Sequence, residues 1–291
     1  MVNDLVLSSG PARAAVSPAR GGALASLAAG GLPVLSAGEG RPPGPFALAC
    51  NLLAPFSNRI SRPLAWDGRT HPLPPNLAGE PFPIHGDAFQ RPWQVASAET
   101  ARAVLRLPDG AFGPWRYEAE ATWHLSPHAL HVTLRLVSRA DMTLPWGLGF
   151  HPWFPRDAGT RARFAAAGWW PQDDRHLPRG PAPEPLPPTL DFSAPRPFPE
   201  GWLNAAFDGW DGTAEVLQTS GRAVSVRLAA RGLGTLLAYS PGASAPFLCL
   251  EPVSHPVDAH SLPDRPGLVP LAPGETLEAA MTLDWSPSGT P

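Results

Sequence analysis

Lysine is missing altogether from this chain, and all 22 of its basic residues are arginine. The arginines are spread evenly rather than gathered into a stripe, and the formal net charge is -3, so nothing argues for a nucleic-acid partner. The missing lysine reads as base-composition bias in the genome. Cysteine is nearly absent as well. Cys50 and Cys249 are too few and too far apart for a disulfide framework, and no cysteine–histidine spacing resembles a zinc site, so a reducing compartment is expected. No stretch reaches the roughly 18 uninterrupted apolar residues of a membrane span, and the N-terminus lacks a basic start and a sustained apolar run. The chain therefore reads as soluble and cytoplasmic, with no membrane partner. Neither a glycine-rich phosphate loop nor a Gly-x-Ser-x-Gly elbow occurs, which removes nucleotide and common serine hydrolase chemistry.

What the chain does have is punctuation. Its 40 prolines and 28 glycines approach a quarter of the 291 residues, which argues against long helices and for many short strands joined by turns. The expectation is an all-β protein, folded as one domain over residues 1–291 and large enough to bury a substantial core. Short alternations at Ala14–Val16, Ala23–Leu27 and Leu32–Leu35 predict a meander. Six prolines between residues 61 and 84 predict a long irregular excursion that ends at Ile84-His85-Gly86-Asp87. Tyr117–Leu125, a Ser126-Pro127-His128-Ala129 turn and the returning Leu130, Val132, Leu134 and Leu136 carry the strongest period-two signal in the chain. The proline-dense stretch 171–201 is expected as a surface loop. Strands near Ala214–Gln218, Val224–Leu228, Thr235–Tyr239, Phe247–Glu251 and Leu277–Leu283 follow at the spacing of a β-sandwich.

Within this frame one run stands out, Gly147-Leu148-Gly149-Phe150-His151-Pro152-Trp153-Phe154. A histidine in such apolar company costs free energy unless it is satisfied, and Pro152 pushes its own predecessor toward extended geometry, so His151 and Trp153 share a strand face. An imidazole beside an indole suits proton donation to a ligand with apolar and hydroxylated surfaces; a satisfied core histidine is the plain alternative. Glu251 ends the strand run Phe247–Leu250, facing the same way as Phe247 and Cys249. Burial there would raise its pKa toward that of a base competent near neutrality, although a strand simply meeting water explains it too. Arg59, after Asn58, and His85, before Gly86, sit at loop or strand ends where side chains reach a cleft, or are merely solvated. His124, His128 and His131 have spacings that suggest metal binding, but their hairpin placement does not make all three converge, and no metal is expected.

Taken together, Pro18–Leu24, Pro55–Ile60, His85-Gly86 with Trp93, Gly149–Phe154, Phe207–Gly212 and Glu251-Pro252 occur in an order that resembles the aldose 1-epimerase (mutarotase) family across nearly the whole chain. The resemblance implies a large antiparallel β-sandwich, of the galactose mutarotase-like supersandwich type, with an open cleft where a monosaccharide lies against aromatic side chains such as Trp153. It implies Glu251 as general base, His151 as general acid, His85 and Arg59 as grips on the ring-oxygen region and hydroxyls, and no cofactor. Where similar enzymes place an aspartate to bind hydroxyls, Leu203-Asn204-Ala205-Ala206 stands here, so Asn204 is the candidate; an amide both donates and accepts where a carboxylate only accepts. The expected protein is a monomeric or homodimeric isomerase that interconverts sugar anomers, with His151 protonated and Glu251 ionised near neutrality. Alternatives are a hexose-6-phosphate 1-epimerase, for which Arg62, Arg91 and Arg116 could face the phosphate, and a non-catalytic sugar-binding or sensing protein.

Overall fold

The computed structural model describes residues 3–286, and among them every regular element apart from four 3₁₀ turns is a β-strand. Two large antiparallel sheets make up most of the molecule. The first has eleven strands and runs from Leu5–Ser9 through Ala12–Ser17, Ala23–Ala29, Cys50–Leu53, Gly149–Pro155, Phe247–Val253, Thr235–Ser240, Leu203–Asp208 and Gly168–Trp170 to Glu184–Pro185; Leu32–Leu35 pairs off this path with Ala23–Ala29. The second has eight, in the order Arg161–Phe164, Thr213–Leu217, Val226–Arg231, Thr276–Trp285, Ala129–Ser138, Trp115–Leu125, Arg102–Phe112, Gln94–Ala98.

One apolar cluster takes side chains from both sheets and forms the filling of a sandwich, as the strand spacing predicts. The hairpin Trp115–Leu125/Ala129–Ser138 shows why its sequence alternates. Tyr117, Ala119, Ala121, Trp123, Val132, Leu134 and Leu136 point inward, and their neighbours face solvent. The meander expected at the N-terminus forms as well, over Ala12–Leu35.

Residues 61–84 depart from the expected irregular excursion. They hold a small hairpin, Leu64–Trp66 with Arg69–His71, turned by Asp67-Gly68, both at positive φ. An Asp-Gly pair between two short strand-like triplets is a tight-hairpin signal that the surrounding prolines obscure. Residues 171–201 are mostly loop, as expected, and contribute the short edge strand Glu184–Pro185 and a 3₁₀ turn at Pro188–Leu190.

Several strands differ from the half-buried pattern, and two of them carry the site candidates. Gly149–Pro155 and Phe247–Val253 lie in the middle of the larger sheet and are covered on both faces. Their even-numbered residues Phe150, Phe154, Leu248 and Leu250 enter the sandwich core. Their odd-numbered residues open onto the other face of the sheet, between two small apolar clusters: Trp153, Phe247 and Cys249 at one end, and Leu53, Leu237 and Val253 with loop residue Val257 at the other.

Candidate active site

Chain pairing brings the two central candidates together. In the antiparallel ladder Gly149 lies opposite Val253 and Trp153 opposite Cys249, a register that sets His151 across from Glu251 on the shared outer face. The imidazole Nε2 stands 3.5 Å from Glu251 Oε1, and the two residues are 6% and 4% exposed. They share a hollow of about 320 Å³ with the four other residues singled out in the sequence, Arg59, His85, Trp153 and Asn204. Its wall also includes Phe46, Glu80 and Trp202, which loops and a 3₁₀ turn deliver, and Tyr239, from the strand paired with that of Glu251; local pattern did not reveal them. Asn204 reaches the site as part of Leu203–Asp208, opposite Tyr239 in the register.

Arg59 and His85 come from two loops stitched together. The Asn58 N–H donates to His85 Nδ1 at 3.0 Å, and the His85 N–H returns a bond to the Asn58 carbonyl at 3.1 Å. Both residues hold left-handed backbone, φ 55 and 60. Gly86 continues the bend at φ 66, where a Cβ would collide with the Ala54 carbonyl, so only glycine fits. Because His85 Nδ1 accepts this hydrogen bond, the neutral ring carries its proton on Nε2, leaving His85 as a fixed donor. Arg59 is clamped by Glu80 in a two-pronged pair, Nε to Oε2 at 2.8 Å and Nη2 to Oε1 at 2.7 Å. His255 braces the same segment by accepting the Ser57 N–H at 3.1 Å.

Burial sets the protonation states, and it reverses the expected starting condition. Burial pushes the Glu251 carboxyl up to about 8, against the opposing pull of Arg59. It pushes His151 down to about 3, with the Arg41 guanidinium adding to the fall, and His85 well below its ordinary range, with His151 adding to burial. At neutral pH the pair therefore holds one proton and keeps it on Glu251, not on His151. The ion pair expected from the sequence has the same proton count but separates charge in a dry setting. Arg41 acts through a stack: its guanidinium carbon lies 4.1 Å from the Trp153 ring centre, and Trp153 lies flat on His151 at 4.6 Å and 12°. Among the described residues Glu251 Oε2 and His151 Nδ1 are buried without a hydrogen-bond partner, an arrangement that costs stability and that a ligand with hydroxyl groups relieves.

His85, His151 and Glu251 offer three ligand atoms within 4.8 Å of one another, close enough to raise the question of a metal. The donor set argues against it. With Nδ1 occupied by the Asn58 N–H, His85 presents a protonated Nε2 and has no lone pair to give. The other histidine cluster lies on the eight-stranded sheet, where His124 and His131 face each other and His131 Nδ1 is bonded to Thr282 Oγ1 at 2.9 Å. Arg62, Arg91 and Arg116 do not line the hollow: Arg91 pairs with Asp87 and Asp109, and Arg116 bonds the carbonyls of Gly113 and Trp115.

The sequence pattern of the family described as aldose 1-epimerase matches residues 4–284. The chain is 34% identical over 246 residues to the uncharacterized Escherichia coli (strain K12) protein YphB, covering 81% of this chain and 84% of that one. A crystal structure of an Escherichia coli K12 protein provisionally assigned as an aldose 1-epimerase superposes with a TM-score of 0.89 at 29% identity, over 98% of this chain and 99% of the other. A galactose mutarotase-like protein from Clostridium acetobutylicum shares the fold, with a TM-score of 0.78 at 18% identity over 97% and 94% of the two chains.

Proposed function

The chain belongs to the aldose 1-epimerase family, and from that premise we propose that it interconverts the α and β anomers of a free aldose by ring opening and reclosure between His151 and Glu251. The observation that carries this reading is the 3.5 Å approach of a carboxyl and an imidazole in one sugar-sized hollow.

In the proposed reaction the anomeric hydroxyl donates its hydrogen bond to Glu251, and this favours the carboxylate form. The resting proton then crosses the short gap to His151. Glu251 takes the proton of the anomeric hydroxyl, the bond between C1 and the ring oxygen breaks, and the ring oxygen receives the proton of His151. The product is the open-chain aldehyde. Rotation about C1–C2 and the reverse transfers close the ring on either face and return both groups to their starting states. His85, donating through Nε2, and Arg59, held by Glu80, orient the ring-oxygen region and the hydroxyls; Asn204 serves hydroxyls farther along, and Trp153, its two ring faces covered by His151 and Arg41, leaves only its edge for the wall of the hollow. Acid and base catalysis contribute roughly 10²–10⁴ each.

Cys50 and Cys249 are buried free thiols, in keeping with a cytoplasmic enzyme. The test is polarimetry on freshly dissolved α-glucose, galactose, xylose and arabinose. Equilibration faster than in buffer for at least one is expected; none faster would reject the reading.

A further inference from the structure

The strand that bears Glu251 ends at Val253, and the loop after it, residues 254–261, returns to the segment that carries Arg59. It holds three backbone groups there. The Ser57 N–H donates to His255 Nε2 at 3.1 Å, the Asp258 N–H donates to the Arg59 carbonyl at 3.0 Å, and the Ser61 N–H donates to Asp258 Oδ1 at 2.8 Å. The holds therefore fall on Arg59 itself and two residues to either side. Sheet pairing gives this stretch far less: among the described residues, 55–61 has one isolated bridge, Arg59 with Ile84.

Asp258 carries most of this hold, and its chemistry suits the place. The residue is 6% exposed and its backbone is left-handed, φ 55, a region that aspartate enters more readily than most residues. Its carboxylate gathers three donors: the Ser61 N–H and the Ser261 hydroxyl on Oδ1, both at 2.8 Å, and the Ser61 hydroxyl on Oδ2 at 2.6 Å. Each hydroxyl can also accept, but the Ser61 N–H can only donate. The position therefore needs an acceptor for that N–H on a residue that tolerates a left-handed bend.

The hold passes beyond Arg59. Asn58, inside the held stretch, is joined to His85 by paired bonds, and its Oδ1 accepts the Arg59 N–H at 2.9 Å. The guanidinium is aimed separately, by Glu80. Side chain and backbone of Arg59 thus have different keepers. Glu80 sets where the charge points, and Asp258 sets where the chain that carries it stands relative to the Glu251 strand.

We propose that Asp258 is a positioning residue, which fixes Arg59, and through Asn58 also His85, at their working distance from Glu251. For its kinetic effect the proposal rests on the ring-opening reading, and a measurement without sugar keeps the two apart. Arg59 and His85 meet the sugar in the ground state as in the transition state, so losing their placement shows in KM. Asp258→Gly keeps the left-handed bend and the N–H to Arg59 but removes the carboxylate. Polarimetry is expected to show its KM raised about tenfold and its kcat within about threefold. Asp258→Asn, whose amide oxygen still accepts the Ser61 N–H while its N–H₂ donates to the Ser61 hydroxyl, is expected to hold KM within about twofold of the natural protein. Hydrogen exchange without sugar is the second arm: the amides of Ser57, Asn58, Ser61 and His85 should exchange about tenfold or more faster in Asp258→Gly, with Val132 and Leu134 of the long hairpin unchanged. Ser61→Ala, which loses only the hydroxyl bond, should shift both readouts the same way by about threefold, and it decides the matter if Asp258→Gly does not fold. Unaltered exchange at the four amides, equal acceleration throughout the molecule, or a KM that does not move overturns the positioning role. If no aldose equilibrates faster than in buffer, the ring-opening reading falls, and the exchange rates alone decide what Asp258 holds.

Discussion

The two faces of the strands Gly149–Pro155 and Phe247–Val253 are buried to nearly the same degree, yet burial has opposite consequences on them. Phe150 is 0% exposed on the core side, and Glu251 and His151 are 4% and 6% exposed on the cleft side. On the first face, removing a large apolar side chain from water stabilises the fold by about 1.5–3 kcal/mol. On the second, the same removal from water is unfavourable to charge, and it appears as displaced proton affinities. Seclusion is common to both sides; the chemistry of the secluded groups decides whether it yields stability or reactivity. The core side fixes the strands, and the cleft side uses that fixed register to keep two ionisable groups in reach of each other.

The sharpest test of this division is Glu251→Gln. It preserves shape and removes the titrating group, so a loss of about 10³–10⁴ in kcat is expected with sugar affinity largely retained; a purely sugar-binding protein had no rate to lose. The core-side counterpart, Phe150→Ala, should lower stability by about 3–5 kcal/mol in denaturant titrations. Because it leaves the cleft side chains in place, KM of the folded fraction should move little; a large KM change would show that the two faces are not separable.

A third measurement concerns the proton shared by the pair. The single-proton state extends from about 3, below which His151 is also protonated, to about 8, above which Glu251 has lost its proton. The rate should therefore be flat across neutrality and fall about tenfold per pH unit above about 8, with apparent values belonging to the pair. The smallest effect is expected from Arg41→Met. Removing the positive charge stacked behind Trp153 should raise the His151 value, moving the acidic limb of the pH–rate profile upward while its alkaline limb stays near 8.

Much of this was legible in the sequence where local rules govern. Strand alternation predicted the hairpin around Ser126–Ala129, and the constraint of Pro152 on His151 predicted that His151 and Trp153 share a face, which they do as a stacked pair. Six candidate residues, chosen from separated motifs, line one hollow. Long-range placement was less accessible. Nothing in the neighbourhood of Glu80 announces that it clamps Arg59, nor near Arg41 that it backs Trp153, because each depends on where a loop lies rather than on periodicity. The resting place of the proton was also hidden. It follows from how completely both partners are buried, and composition suggests that burial without measuring it.

The cross-strand setting of His151 and Glu251 has a consequence for divergence. Their separation is dictated by backbone ladder bonds in the middle of a sheet, whereas Glu80 and Trp202 ride on connections outside the ladder. On the proposed reaction, insertions or exchanges in those connections would retailor which carbohydrate is welcomed while the proton-handling chassis stays untouched, so grafting them between relatives should transplant preference without redesigning the chemistry.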